Sequence, residues 1–180
     1  MKAYLALLRG INLGSTNKIA MPDLRELFTA LGHGDVRTHL QTGNVIFTTD
    51  RSGRSLAADL QERIANDLGV RTTVLLRTAS ELAAVAGDNP LAGAAPDPSR
   101  LLVTFLDGKP DRDGVPKLDA LKGDGEEFVV RGREVYLHCP NGYGRTKLSN
   151  TNLEKRLGVA ATTRTWKVVT TLHEMMRSVG

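Results

Sequence analysis

The stretch Ala3-Tyr4-Leu5-Ala6-Leu7-Leu8-Arg9-Gly10-Ile11-Asn12-Leu13-Gly14-Ser15-Thr16-Asn17-Lys18 sets the reading of this chain. Ala3 to Leu8 is a short apolar run of the kind that makes a buried strand. Arg9 to Lys18 is mostly Gly, Asn, Ser, Thr, Arg and Lys. A helix pattern follows, with Leu24, Leu27, Phe28 and Leu31 at i, i+3, i+4 and i+7, Pro22 in the first turn and Gly32 at the exit. A polar loop between two core elements is where a domain places a binding site.

The elements beyond it fix the fold class. Val36 to Leu40 and Asn44 to Thr48 read as strands joined through Gln41-Thr42-Gly43, a hairpin. Leu56, Leu60, Ile64 and Leu68 mark a second helix closed by Gly69, and Thr72 to Leu76 another strand. The order is β-α-β-β-α-β, the split βαβ or ferredoxin-like arrangement. Thr78-Ala79-Ser80-Glu81 is a capping-box pattern that opens a short helix to about Ala86. Asp88 to Ser99 carries Pro90, Gly93, Pro96 and Pro98 and reads as a linker.

The second half repeats the order. Leu101 to Leu106 is an apolar strand and Pro116 to Leu121 a short helix. Phe128 to Val130 and Glu134 to His138 flank a turn at 131–133. Thr151 to Glu154 is a second capping-box pattern, opening a helix that ends at Gly158. A weak strand over Ala161 to Arg164 precedes a final helix from Trp166. The expected fold is α+β, with two ferredoxin-like (β-α-β-β-α-β) subdomains, over 1–87 and 100–180, joined by a linker over 88–99. The second subdomain is expected to carry the C-terminal helix. The repeat is one of element order, not of residues.

This topology has a consequence for the opening loop. In a split βαβ unit, strands one and two run the same way, so the turn after strand two lies at the end where strand one exits. Gln41, Thr42 and Asn44 are therefore expected beside Arg9, Asn12, Asn17 and Lys18. The seven side chains form a polar cluster in which Arg offers a fork for phosphate or carboxylate and Lys a point charge. The same asparagines and threonines also serve as turn and loop braces. Both readings of them stand at this level.

Composition bounds the function. The 180 residues carry 24 Lys and Arg against 20 Asp and Glu, a formal charge of +4, which permits contact with phosphate without requiring it. Basic residues are scattered rather than run together. The one cysteine, Cys139, excludes an internal disulfide and suits a reducing compartment. No signal-peptide succession and no membrane-length apolar run is present, so a cytoplasmic protein with no membrane partner is expected.

Several segments together resemble a known family. Leu7 to Gly14, Asn17 to Met21 and Gln41 to Phe47, with Tyr143 to Leu148 and Thr162 to Trp166, are similar to the DUF1697 family of bacterial proteins. The resemblance spans nearly the whole chain. It implies an α+β protein built from ferredoxin-like subdomains and brings no established activity with it. The family commonly has Asn where Thr165 stands and often Ser where Thr42 stands.

The C-terminal segments add candidates. Tyr143, Arg145 and Lys147 interleave an aromatic with basic residues, a pattern that suits single-stranded nucleic acid. Neither third strand carries the basic-Gly-aromatic pattern of an RNA-recognition motif. Arg164 precedes a helix whose N-cap is expected at Thr165, and Trp166 offers a flat face for stacking or core packing. Cys139 reads as a structural thiol, and His33, His39, His138 and His173 have no metal-ligand spacing. No nucleotide-loop, nucleophile-elbow or zincin signature occurs. No cofactor is expected and no catalytic residue is assigned.

Three functions follow from these readings. The first is recognition of a small anionic, phosphorylated or nucleotide-like ligand by Arg9, Asn12, Asn17, Lys18, Gln41, Thr42 and Asn44, with Tyr143, Lys147, Arg164 and Trp166 contributed by the second half. The second is a nucleic-acid-binding module. The third is a structural or protein-interaction subunit. The sequence leaves oligomeric state and turnover open.

Overall fold

The computed structural model describes residues 1–93 and 97–179. Part of the expected linker, Ala94 to Pro96, lies outside the described residues. The chain divides into two compact units, Met1–Ala83 with Leu172–Gly180, and Ala84–Thr171.

The first unit runs β1 (Lys2–Leu8), α1 (Met21–Ala30), β2 (Gly34–Thr38), β3 (Asn44–Thr49), α2 (Arg54–Leu68) and β4 (Val74–Thr78). Its sheet is antiparallel throughout in the order β2-β3-β1-β4. This is the ferredoxin-like order expected from the sequence. Tyr4, Ala6 and Leu8 alternate onto one face of β1 and pack with Leu24, Leu27 and Phe28 of α1 and Leu56, Leu60 and Ile64 of α2. Gly69 ends α2 in the left-handed conformation, donating its N–H to the Ala65 carbonyl.

After β4 comes α3 (Ala79–Gly87), then a 3-10 turn at Pro98–Arg100, β5 (Leu101–Leu106), a 3-10 helix Val115–Leu121, β6 (Glu127–Arg131), β7 (Glu134–His138), α4 (Asn150–Leu157), β8 (Ala161–Thr165) and α5 (Trp166–Arg177). The second sheet is ordered β6-β7-β5-β8, the same arrangement with a 3-10 helix where the first unit has α1. The protein is thus α+β with two subdomains of this type and a C-terminal helix. Leu172 onward of that helix belongs to the first unit. Among the described residues, no helix is long and apolar enough to cross a membrane.

The two capping-box patterns had different fates. At Thr78-Glu81 both bonds form: the Glu81 N–H donates to Thr78 Oγ1 (3.2 Å) and the Thr78 N–H to Glu81 Oε2 (2.8 Å). At Thr151-Glu154 neither does. Ser149 is the N-cap, accepting from the Asn152 N–H, and Glu154 Oε2 instead accepts the N–H of Ala161 at the start of β8 (2.9 Å). The helix begins two residues earlier than the motif implied because Ser149 caps the Asn152 N–H.

Two features of the first core generate predictions. Gly43 has φ +89°, and a Cβ there would sit 2.7 Å from Leu8 Cβ and 3.0 Å from Ile11 Cδ1. Gly43→Ala is expected to cost roughly 3 kcal/mol, from the disallowed backbone and the clash with two core side chains, measurable by urea denaturation. His33 is buried with its ring 4.9 Å from Phe47 and 6.1 Å from Phe28, and its Nε2 has no hydrogen-bond partner among the described residues. Burial, and then the charge of Arg51, lowers its pKa below the ordinary 6.5. Between the lowered folded-state pKa of His33 and 6.5 the unfolded chain therefore binds a proton that the folded chain does not. The stability held by neutral His33 is complete above that pH and lost as pH falls, at up to about 1.4 kcal/mol per pH unit. His33→Phe is expected to remove this part of the acid slope in denaturation curves taken from pH 7 to 5.

Candidate functional site

The end of the first sheet where β1 exits is built by backbone bonds. The Leu8 N–H donates to the Gly43 carbonyl (2.9 Å) and the Arg9 N–H to the Thr73 carbonyl (3.0 Å). The Thr72 hydroxyl donates to the Arg9 carbonyl (2.7 Å). The β2–β3 turn and the loop before β4 therefore both meet the end of β1. The first neighbour follows from the split βαβ order; the second is seen in the fold.

The polar loop is braced from inside. Asn12 Nδ2 donates to the carbonyls of Ile19 (2.9 Å) and Gln41 (2.7 Å), and its Oδ1 accepts the Ile19 N–H (2.8 Å). The Asn12 N–H donates to the Asn17 carbonyl (2.9 Å), and Asn17 Nδ2 donates to the Gly10 carbonyl (3.3 Å). Both asparagines have positive φ, 53° and 51°, a conformation that Asn tolerates better than most side chains. Asn44 is fully buried, its Nδ2 donating to the His39 carbonyl (2.8 Å) and Thr42 Oγ1 (3.0 Å). Asn12, Asn44 and Thr42 thus shape the loops. Lys18 and Gln41 are exposed at the same end.

An open cleft of about 590 Å³ lies on the other side of β1, between its end, the loop before β4, and α2. Arg9 and Asn17 line it; Asn12, Lys18, Gln41, Thr42 and Asn44 do not. Arg71, Glu62 and Asn66 also line it, and the sequence reading missed them. Two signals could have found them. Arg71 lies in the loop before the last strand, which this topology brings to the exit of strand one. Ala58, Glu62 and Asn66 recur at i, i+4 and i+8, just off the Leu56/Leu60/Ile64 core stripe of α2. Arg71, Glu62 and Asn66 make no side-chain hydrogen bond or ion pair among the described residues.

Two of the second-unit candidates, Tyr143 and Arg164, hydrogen-bond to residues of their own unit. The Tyr143 hydroxyl donates to Thr163 Oγ1 (3.2 Å), and Thr163 Oγ1 donates to Asn150 Oδ1 (2.6 Å) and pairs with Thr104 Oγ1 (2.6 Å). Burial raises the pKa of that phenol. Arg164 is buried on β8, its Nη1 donating to Thr162 Oγ1 (2.7 Å) and the Thr163 carbonyl (3.0 Å), and burial pulls its pKa down to about 10. Trp166 is half-buried at the start of α5, and Thr165 Oγ1 accepts the Val168 N–H (3.3 Å) as an N-cap. Lys147 is exposed and lines a smaller cleft, about 310 Å³, with Lys122 and Arg145. Burial, then the charge of Glu126, pushes the Cys139 thiol up to about 11, as suits a structural thiol rather than a nucleophile. Among the described residues no group of His, Cys, Asp and Glu could hold a metal ion.

Residues 1–136 match the family described as "Protein of unknown function (DUF1697)". The chain belongs to this family. A solved structure with a similar fold is that of the conserved bacterial protein SP0830 from Streptococcus pneumoniae, with a TM-score of 0.79 and 24% identity over 97% of this chain and 98% of that one. That likeness supports the fold alone. No curated protein sequence matches the chain.

Asn12→Ala is expected to destabilise the protein by about 2–4 kcal/mol, since it removes three hydrogen bonds and places Ala in a positive-φ position. Hydrogen exchange should show Ile19 losing protection first, because its N–H loses its acceptor.

Proposed function

We propose that this DUF1697 protein recognises a small phosphorylated ligand in the cleft between the end of β1, the loop before β4 and α2. Two guanidiniums, Arg9 and Arg71, line that cleft. Arg presents a planar donor fork that matches phosphate oxygens. The volume falls within the usual range for small-molecule sites.

The observation that carries the reading is a comparison of the two units. The second repeats the backbone bonds at the end of its first strand: the Leu106 N–H donates to the Arg133 carbonyl (2.8 Å) and the Asp107 N–H to the Ala160 carbonyl (2.9 Å). Asp107 thus stands where Arg9 does. The α4–β8 connection is two residues shorter: Gly158 is the left-handed C-cap, the counterpart of Gly69, and no residue stands where Arg71 does. The same fold at the same sheet end is built without either cation. Arg71 is therefore not required by the architecture, and function is the better account of it.

A thermal-shift titration with inorganic phosphate, glucose 6-phosphate, AMP and a single-stranded oligonucleotide at two salt concentrations tests this. Saturable stabilisation by a small phosphate compound, following RT ln(1 + [L]/Kd), is the expected result. Arg71→Ala should weaken it about tenfold or more, because a charge-assisted bond is lost. Ala65→Trp, which fills the cleft from α2, should abolish it. Stabilisation by the oligonucleotide alone, falling steeply with salt, would instead identify a nucleic-acid-binding module.

A further inference from the structure

Resting on the reading of the cleft as a phosphate site, we infer that its ligand is a hydroxylated phosphate ester of the sugar-phosphate class, rather than a nucleotide or an aminophosphate. The two walls of the cleft differ in chemistry. The strand side presents Arg9 and Arg71, which only donate hydrogen bonds. The α2 side presents Glu62 and Asn66, one helical turn apart and so adjacent on the surface of the helix. An ionised carboxylate only accepts, whereas a carboxamide both donates and accepts. Glu62 would repel a phosphate brought against it, so the anion belongs on the arginine wall and the organic part of the ligand on α2.

A hydroxyl suits that second wall, since it donates to Glu62 and both donates to and accepts from Asn66. An ammonium would suit Glu62 but could only donate to Asn66. A nucleobase needs a stacking face, and among the described residues no aromatic side chain lines the cleft. Ala58 and Ala65 leave the helix wall open. The resulting volume of about 590 Å³ is far more than a lone phosphate ion fills and suits a polyol carrying one.

Isothermal titration of the full chain with inorganic phosphate, glucose 6-phosphate, AMP and O-phosphoethanolamine tests the inference. Glucose 6-phosphate should bind at least about tenfold more tightly than phosphate. Glu62→Gln should cut that preference several-fold while leaving phosphate affinity equal or better. Glu62 is exposed on α2, so this variant should keep the fold, as circular dichroism would verify. Asn66→Ala is a second variant with the same expected direction. Tighter binding of AMP or O-phosphoethanolamine than of glucose 6-phosphate overturns the inference, as does an undiminished sugar-phosphate preference in both variants. Phosphate binding that Ala65→Trp abolishes, without any gain from hydroxyls, overturns the ligand class and leaves the phosphate site standing. No binding of any phosphate compound, or binding that survives Ala65→Trp, overturns both.

Discussion

The side chain of Asn12 is the interaction on which the candidate end of the first unit depends. A chain leaving the end of β1 must cross to α1 without a neighbouring strand to satisfy its backbone. The carboxamide takes the place of a peptide group: it accepts the Ile19 N–H, donates to the Ile19 carbonyl, and reaches the Gln41 carbonyl of the next turn. Buried backbone groups left without partners are costly, and the Asn carboxamide, like a peptide group, offers N–H donors and a carbonyl acceptor together. With the loop held in this way and the end of β1 tied to Gly43 and Thr73, the cleft needs none of Arg71, Glu62 or Asn66 for its construction. Residues that a fold does not use are available to a ligand.

The two units repeat this framework more faithfully than their sequences suggest. Arg77 sits opposite Leu5 in the pairing of β4 with β1, and Arg164 opposite Val103 in the pairing of β8 with β5. Both arginines are buried, and each folds Nη1 back onto the carbonyl of the residue before it, Leu76 or Thr163. Each lies on an edge strand, where a row of carbonyls has no ladder partner on the outer side and can accept such a donor. Two buried guanidiniums thus occupy the same register and hold the same kind of bond. The difference between the units lies at the sheet end, where Arg9 in one is replaced by Asp107 in the other.

The second core is held by polar contacts as well as by Leu118, Leu137, Leu148 and Leu153. Thr104, Thr163, Tyr143 and Asn150 form one chain of hydrogen bonds. Glu126 accepts from the Gly123 N–H and from the Thr146 hydroxyl, joining two loops. Such networks satisfy one another inside a low-dielectric interior and fix a unique packing. They also draw the phenol of Tyr143 into the network while Arg145 and Lys147 remain exposed.

Most of the architecture was legible because it rests on local rules. Strand β5 over Leu101–Leu106, the αL close of α2 at Gly69 and the capping box at Thr78 follow from hydrophobic runs, glycine's conformational freedom and side-chain oxygens in reach of a free N–H. The capping pattern at Thr151 failed because Ser149 competed for the same role, and such a contest is settled by neighbours rather than by the motif. For the site, the chain alone determined that a polar loop follows β1 and that the β2–β3 turn lies beside it. Only the tertiary structure decided which polar residues are consumed as braces and which are left over. Asn12 and Asn44 have the same chemistry as Asn66, yet the first two face backbone groups in need of partners and the third faces an open cleft. That distinction depends on what stands within 3 Å of a side chain, which sequence spacing cannot fix once the partner is far away in the chain.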